Sequence, residues 1–195
     1  MPGPVAAEPP ARERALGALT GLALGDALGM PTQSMSPAQI RRCYGEITGL
    51  RDAVAEQPIA PSVPAGTVTD DTEQALILAG LLIDGGGRID PHQLADALLR
   101  WEDDMRARGS LDLLGPSTKL ALERVRAGAD PHCTGRQGTT NGAAMRVAPV
   151  GIVFSVNAHG DALARAVQAS CLVTHDTRQG FEAAGLLAAA VSAAI

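Results

Sequence analysis

Residues 69–87 read TDDTEQALILAGLLIDGGG, a polar and acidic start followed by a long apolar run and three glycines. Asp70 with Glu73 three residues later is the pattern of a capping box, which predicts that a helix begins here. The apolar run from 75 to 83 continues this helix as a buried element, and the glycines end it. The stretch is typical of a helical protein in which one helix carries carboxylates at its start.

The composition of the whole chain agrees with an all-α fold. The chain has 195 residues, of which 46% are apolar and 19% charged, and this length suits one domain. Only 2% of the residues are aromatic, whereas Ala and Leu, which favour helices, are abundant. Residues 1–10 contain four prolines and no apolar periodicity, so we expect a disordered arm at 1–10 and one helical domain over 11–195.

Charge and cysteine content exclude several classes of protein. Nucleic-acid-binding proteins typically carry an excess of basic residues, whereas this chain has a net charge of -5, so we expect no direct nucleic-acid binding. The uncharged apolar stretches are too short to span a bilayer, so no membrane association is expected. Cys43, Cys133 and Cys171 are far apart and form no CxxC pair, which indicates a reducing compartment. We therefore expect a cytoplasmic protein.

The first predicted helix carries a stripe of small residues. The helix predicted to begin at Ala11 has a glycine at every fourth position from 17 to 29, and these four residues share one face: Gly17, Gly21, Gly25 and Gly29. A glycine inside a helix costs about 1 kcal/mol relative to alanine. We therefore expect another backbone or a ligand to approach this face closely, and we predict that a neighbouring helix packs there. Asp26 is an isolated carboxylate near the end of this apolar helix.

The other helices are predicted from their first residues. A cap followed by proline begins two of them, at Ser36-Pro37 and at Asp90-Pro91. Ser117 is the expected cap of a helix that runs to Arg126, and further helices are expected near 160–172 and 178–195. The inner face of the helix after Asp90 is predicted to carry Leu94, Leu98 and Trp101.

Residues 69–72, at the predicted helix start, provide two carboxylates and two hydroxyl groups. Such oxygen donors suit Mg²⁺, Mn²⁺ or Ca²⁺ rather than zinc. The alternative is that these residues satisfy the free N–H groups of the helix and its dipole. Capping needs only one carboxylate, however, and two adjacent ones repel each other unless a cation or solvent separates them.

A second polar cluster has the sequence GTTNGAAMR at residues 138–146. A glycine-flanked turn of small polar residues can present N–H groups and side-chain donors to a phosphate or a sugar. The same residues also form ordinary turns and helix caps. His175, in the sequence THDT at 174–177, is either an acid or base or a hydrogen-bonded structural residue.

Taken in order, these segments resemble the ADP-ribosylglycohydrolase family, hydrolases that remove ADP-ribose from modified side chains. The segments are GLALGDALG at 21–29, TDDTE at 69–73, TNGAAMR at 140–146 and His175. The resemblance covers roughly residues 13 to 195. It implies a compact orthogonal all-α bundle around a binuclear magnesium site, with Mn²⁺ as a possible substitute. The implied substrate is ADP-ribose or an ADP-ribosylated protein.

The resemblance also implies roles for individual residues. Thr69, Asp70 and Asp71 would be metal ligands, and Asp70, Asp71 and Gln33 would be catalytic. The substrate-binding residues would be Gly138, Thr139, Thr140, Asn141 and His175. We therefore predict that Asp70 and Asp71 point into one cavity shared with Asn141 and His175.

Two departures from the family pattern affect these expectations. The family supplies its remaining metal ligands from an Asp-x-Asp-Thr motif near the C-terminus, and these 195 residues contain no such motif. We therefore expect an incomplete domain that corresponds to the N-terminal two-thirds of the family domain. Gln33 occupies a position that is often Glu, and an amide cannot accept a proton as a carboxylate does. A catalytically impaired ADP-ribose-binding protein, or a structural protein on the same scaffold, is therefore the alternative.

Overall fold

The computed structural model describes residues 11–109 and 114–195, so the predicted disordered arm at 1–10 lies outside the described residues. Within these ranges the chain forms eight α-helices and no β-strand, and 66% of it is helical. The helices are α1 (Ala11–Gly29), α2 (Pro37–Tyr44), α3 (Asp70–Asp84), α4 (Pro91–Ala107), α5 (Pro116–Arg126), α6 (Ala148–Val153), α7 (Val156–His175) and α8 (Arg178–Ala194). Short 3₁₀ turns occur at Met30–Thr32 and Asn141–Ala143. The predicted all-α fold is confirmed.

Two helices begin at the caps that the sequence predicts. Ser36 accepts the N–H of Gln39 at 3.3 Å before α2, and Asp90 accepts the N–H of His92 at 2.8 Å before α4. Each cap is followed by proline, whose fixed φ suits the first helical position. α2 ends at Tyr44, and the backbone turns at the following Gly45, whose φ is +64°.

Two predicted caps are wrong. Thr69, not Asp70, caps α3, and Asp70 is the first helical residue. With Thr69 as the cap, Glu73 is the fourth helical residue rather than the third, so it does not complete a capping box, and its side chain instead accepts hydrogen bonds from Trp101 Nε1 at 2.6 Å and from Arg108. α5 begins at Pro116, one residue before the predicted cap Ser117, since proline is already suited to the first helical position.

The core is a layer of aliphatic side chains between the helices. α3, α4 and α5 contribute Leu78, Leu98 and Leu122, each fully buried. They pack with residues of α6, α7 and α8, namely Val150, Leu163, Val167, Ala184 and Ala188. The predicted inner face of α4 is confirmed, since Leu94, Leu98 and Trp101 are all buried.

α3 packs on α1, on α4 and on α6. α8 packs on both α6 and α7, and α1 packs on α3 and α6. α1 itself buries little, and Ala27 is its one buried residue. Among the described residues, no helix has both the length and the apolar character needed to cross a bilayer.

Candidate metal and ligand site

The site is built around Asp26, which joins α1 to the start of α3. Its Oδ2 accepts the N–H of Thr69 at 2.8 Å and the N–H and hydroxyl of Thr72 at 3.2 and 2.6 Å. Its Oδ1 accepts the Thr69 hydroxyl at 2.7 Å. Asp26 is thus the anion at the N-terminus of α3, where the helix dipole and free N–H groups favour negative charge.

Asp26 has no role in the site predicted from the sequence, although its position in an apolar helix is unusual. Thr69 lies 43 residues further along the chain, so neither helical spacing nor a cap pattern connects the two residues. The signal that could have found the contact is the combination of a lone carboxylate in α1 with the paired hydroxyls of Thr69 and Thr72.

Asp70 and Asp71 form a second pair of carboxylates beside Asp26. Asp70 is buried, and burial followed by the charge of Asp71 raises its pKa to about 7. Burial and then the charge of Asp26 also raise the pKa of Asp71. None of the ion pairs between described residues involves these three carboxylates. Three neighbouring acidic groups that form no salt bridge favour a bound cation, although the buried guanidinium of Arg146 acts electrostatically on Asp70.

Two adjoining cavities open beside these carboxylates. The larger has a volume of about 410 Å³ and is lined by Asp26, Thr69 and Asp71 together with residues of α1. The smaller has a volume of about 150 Å³ and includes Asp70. Both cavities are lined by Gln33, Asp71, Asn141 and Met145, so they adjoin each other, and the two together are called the groove below. Asp70, Asp71 and Asn141 line the smaller cavity together, as predicted.

The predicted substrate-binding loop contributes only some of its residues to this groove. Thr140 and Asn141 line it, whereas Gly138 and Thr139 do not. Gly138 is buried against the end of α7, where an added Cβ would lie 2.7 Å from the Cα of His175. The absence of a side chain at Gly138 thus allows the loop to pack closely on α7.

His175 lies behind the wall of the groove, so the prediction that it shares the cavity is wrong. The side chain is fully buried, with Nε2 2.9 Å from the Thr140 hydroxyl and Nδ1 2.8 Å from the Thr174 hydroxyl. Burial, with the charge of Arg146 as a smaller cause, lowers the pKa of His175 to about 3. The imidazole is therefore neutral and fixes the position of Thr140.

Arg146, the last residue of the second motif, lies beneath the site, and the sequence alone assigns it no role. It is fully buried and donates to Gln74 Oε1 at 2.7 Å and to the Thr174 hydroxyl at 2.7 Å. Burial lowers its pKa to about 10, so it stays charged at neutral pH. Because Gln74 lies one turn after Asp70, Arg146 connects α3 to the end of α7.

Gln33 lies at the mouth of the groove, after the 3₁₀ turn that follows α1. It is exposed, and it lines both cavities. Its carbonyl oxygen accepts the buried side-chain amide of Gln57 at 3.2 Å, and Gln57 also donates to the carbonyl of Met30 at 3.3 Å. The backbone of Gln33 is thus held in place, while its side chain can donate or accept a hydrogen bond but cannot take up a proton.

The glycine stripe of α1 faces the groove rather than another helix. Gly17, Gly21, Gly25 and Gly29 are not buried, and a Cβ added at any of them would have no atom of another element within 4 Å. The prediction of a helix packed on this stripe is therefore wrong. Three of the four glycines instead line the larger cavity, which favours close approach by a ligand.

The comparisons with known proteins identify this arrangement. The model of the ADP-ribosylglycohydrolase family matches residues 7–195. The chain belongs to the ADP-ribosylglycohydrolase family. A solved structure described as an ADP-ribosylglycohydrolase-related protein complex has the same fold, with a TM-score of 0.70 and 34% identity, and the match covers 91% of this chain and 54% of that one. The predicted resemblance is confirmed.

Two curated relatives illustrate the breadth of the family. The chain is 35% identical over 183 residues to the uncharacterized protein YegU of Escherichia coli K12, covering 94% of this chain and 54% of YegU. It is 32% identical over 194 residues to the ADP-ribosylarginine hydrolase Tri1 of Pseudomonas putida GB-1, covering 95% of this chain and 47% of Tri1. The chain thus spans about half the length of the curated relatives it matches.

The ADP-ribosylglycohydrolase family is metal-dependent, and the chemistry of this groove suits a hard cation. Asp70 and Asp71 offer carboxylate oxygens, and the Thr69 hydroxyl lies 3.3 Å from Asp71 Oδ2, whereas both oxygens of Asp26 accept hydrogen bonds from Thr69 and Thr72. The nitrogen and thiolate ligands that zinc or copper prefer do not line either cavity. The donor set therefore fits Mg²⁺ or Mn²⁺.

Proposed function

We propose that this groove binds Mg²⁺ and an ADP-ribosyl group, and that the protein hydrolyses the bond between ADP-ribose and a protein side chain. The observation that carries the proposal is the cluster of Asp26, Asp70 and Asp71, which forms no salt bridge and opens into a groove with Asn141. Mn²⁺ would serve in place of Mg²⁺, since both prefer oxygen ligands.

The proposed metal ligands are Thr69, Asp70 and Asp71, at the first turn of α3. A bound divalent cation would hold ribose hydroxyls and lower the pKa of a coordinated water. Asp26 is a positioning residue, because its hydrogen bonds to Thr69 and Thr72 fix the first turn of α3. The raised pKa of Asp70 means that metal binding would displace a proton near pH 7.

The reaction replaces a C–N bond with a C–O bond at the anomeric carbon. For an arginine conjugate, water attacks C1″, the bond from C1″ to the guanidinium nitrogen breaks, and a proton passes to that nitrogen. The anomeric carbon gains positive charge in the transition state. Asp70 and Asp71 would stabilise this charge electrostatically. Gln33 would hydrogen-bond the substrate but cannot act as the base.

The proposed contacts to the substrate come mainly from the loop before α6. Thr140 and Asn141 face the groove and offer a hydroxyl and an amide to the ribose or the diphosphate. Gly138, Thr139 and His175 do not line the groove, so we assign them to the support of that loop. The glycines of α1, which have open space where a Cβ would lie, let a ligand rest against the helix backbone.

An ADP-ribosylated arginine side chain is the first substrate to test, because a relative is named ADP-ribosylarginine hydrolase. We also propose that the protein acts in the cytoplasm, in agreement with three cysteines that form no disulfide.

The test measures release of free ADP-ribose from an ADP-ribosylarginine peptide by mass spectrometry, with Mg²⁺ or with EDTA. We expect release with Mg²⁺ only, and a loss of about 100-fold or more in Asp71→Asn. Asp52→Asn is the matched control because Asp52 is an exposed carboxylate outside the groove. Equal release in EDTA, or an Asp71→Asn variant as active as the control, would refute the proposal.

Gln33 favours a second candidate, an ADP-ribose-binding protein without turnover. Calorimetry with ADP-ribose separates the two functions, since this candidate predicts binding with no release from the peptide. Gln33→Glu would then restore release, because a carboxylate at this position can accept a proton. Release by the unmodified chain would exclude this candidate.

A further inference from the structure

A second group of possible metal ligands lies outside the groove, on the surface between α4 and the loop that follows α5. It consists of His92, Asp130 and His132, whose ligand atoms all lie within 4.8 Å of one another. His92 belongs to the first turn of α4, and the other two belong to the loop. All three side chains are exposed, so an ion in solution could reach them.

The backbone on both sides of this group is held by local hydrogen bonds. Asp90 accepts the N–H groups of His92 and Gln93 at 2.8 and 3.1 Å, which fixes the first turn of α4. Asp130 Oδ1 accepts the N–H of His132 at 3.0 Å, which fixes the loop in a tight turn. The side chains therefore meet because two rigid backbone segments bring them together, even though His92 lies far from the other two along the chain.

The distances within the group suit ligands of a single ion. His132 Nδ1 lies 2.9 Å from Asp130 Oδ1 in a hydrogen bond or ion pair, and a metal ion bound to both atoms would replace this direct contact. The rings of His92 and His132 meet edge to face with centroids 5.3 Å apart.

We propose that His92, Asp130 and His132 form a site for a divalent transition metal, Zn²⁺ or a similar ion. Two imidazoles and one carboxylate are ligands of Zn²⁺, Ni²⁺, Co²⁺ and Cu²⁺ rather than of Mg²⁺. The acidic cluster of the groove offers oxygen donors instead, so the two sites take different ions. A metal bound here joins the start of α4 to the loop after α5 and stabilises their contact.

The test is calorimetric titration of Zn²⁺ into the full chain, without an affinity tag and with its cysteines reduced. We expect one site whose affinity falls by about tenfold or more in His92→Ala and in His132→Ala. His159→Ala is the matched control, because His159 is also exposed but lies elsewhere, in α7. The affinity of the Asp70→Asn, Asp71→Asn double variant should equal that of the unmodified protein.

Two further measurements separate metal binding by these side chains from a loss of folding and from binding by a thiol. Because all three side chains are exposed, the thermal unfolding of the alanine variants in EDTA should match that of the unmodified protein. Cys133 is exposed and adjacent to His132, so Cys133→Ser tests whether a thiol binds the metal instead. Absence of Zn²⁺ binding, unchanged affinity in both histidine variants, or loss of binding in Cys133→Ser alone would overturn the proposal.

Discussion

Asp26→Ala tests whether a single carboxylate holds the start of α3 against α1. The substitution removes the acceptor of four hydrogen bonds, two from backbone N–H groups and two from hydroxyls. Thr69 and Thr72 are only 4% and 5% exposed, so water replaces these bonds poorly. A hydrogen bond to a charged group contributes about 1.5–3 kcal/mol, and removing the acceptor leaves buried donors without partners.

These bonds are not additive, and loss of the Asp26 charge also relieves repulsion of Asp70 and Asp71. We therefore expect Asp26→Ala to lower the free energy of unfolding by about 3–5 kcal/mol in EDTA. Asp26→Asn retains one acceptor oxygen and should cost roughly half as much.

The assay is urea unfolding followed by far-ultraviolet circular dichroism. Asp52→Ala is the control, because Asp52 is an exposed carboxylate that accepts one backbone N–H, from Ala65 at 2.8 Å. We expect that control to lose no more than about 1 kcal/mol. A loss for Asp26→Ala equal to that of Asp52→Ala would show that Asp26 does not anchor α3.

Three more predictions concern residues around the groove. Because the folded-state pKa of Asp70 is raised to about 7, its protonated form stabilises the fold at low pH, and this contribution is lost as pH rises through 7. Urea unfolding in EDTA should therefore show the unmodified protein losing roughly 2–3 kcal/mol of unfolding free energy relative to Asp70→Asn between pH 5 and pH 8, and parallel pH profiles of the two proteins would contradict this. Gly142→Ala should destabilise the fold by about 1–3 kcal/mol because a Cβ at this position would contact the His175 ring, whereas Gly160→Ala, which has open space at its Cβ, should not. Equal melting temperatures of the two variants would show that the loop around Gly142 can move to accommodate the added methyl group. Gly25→Ala should raise the free energy of unfolding by up to about 1 kcal/mol and weaken ADP-ribose binding measured by calorimetry, whereas Gly17→Ala, which lies outside the cavity, should only raise the free energy of unfolding. Unchanged ADP-ribose binding in Gly25→Ala would show that no ligand lies against the glycine stripe of α1.

The sequence predicts those elements that depend on neighbouring residues. Ser36 and Asp90 cap their helices as expected, because each cap bonds N–H groups two or three residues away. The inner face of α4 follows from its periodicity, and Trp101 lies on it. The predicted box of Asp70 and Glu73 fails because Thr69 caps the helix one residue earlier, and Glu73 instead accepts a hydrogen bond from the distant Trp101.

The sequence does not predict contacts between distant segments of the site. Asp26 reaches Thr69 across 43 residues, and only the packing of α1 on α3 brings them together. Spacing places the glycines of α1 on one face but cannot tell whether that face meets a helix or a cavity. The family motifs point to Thr140 and His175 together, but only Thr140 lines the groove, because His175 is fully buried behind its wall.

Titration of Mg²⁺ into the unmodified chain and into the Asp70→Asn, Asp71→Asn double variant tests the central claim most directly. Asparagine keeps the volume and hydrogen-bonding ability of aspartate but removes both charges. If the carboxylates are metal ligands, calorimetry should show Mg²⁺ binding to the unmodified protein and an affinity lower by about 100-fold or more in the variant. Equal Mg²⁺ affinities would contradict the account and leave Asp70 and Asp71 as residues that only stabilise the first turn of α3.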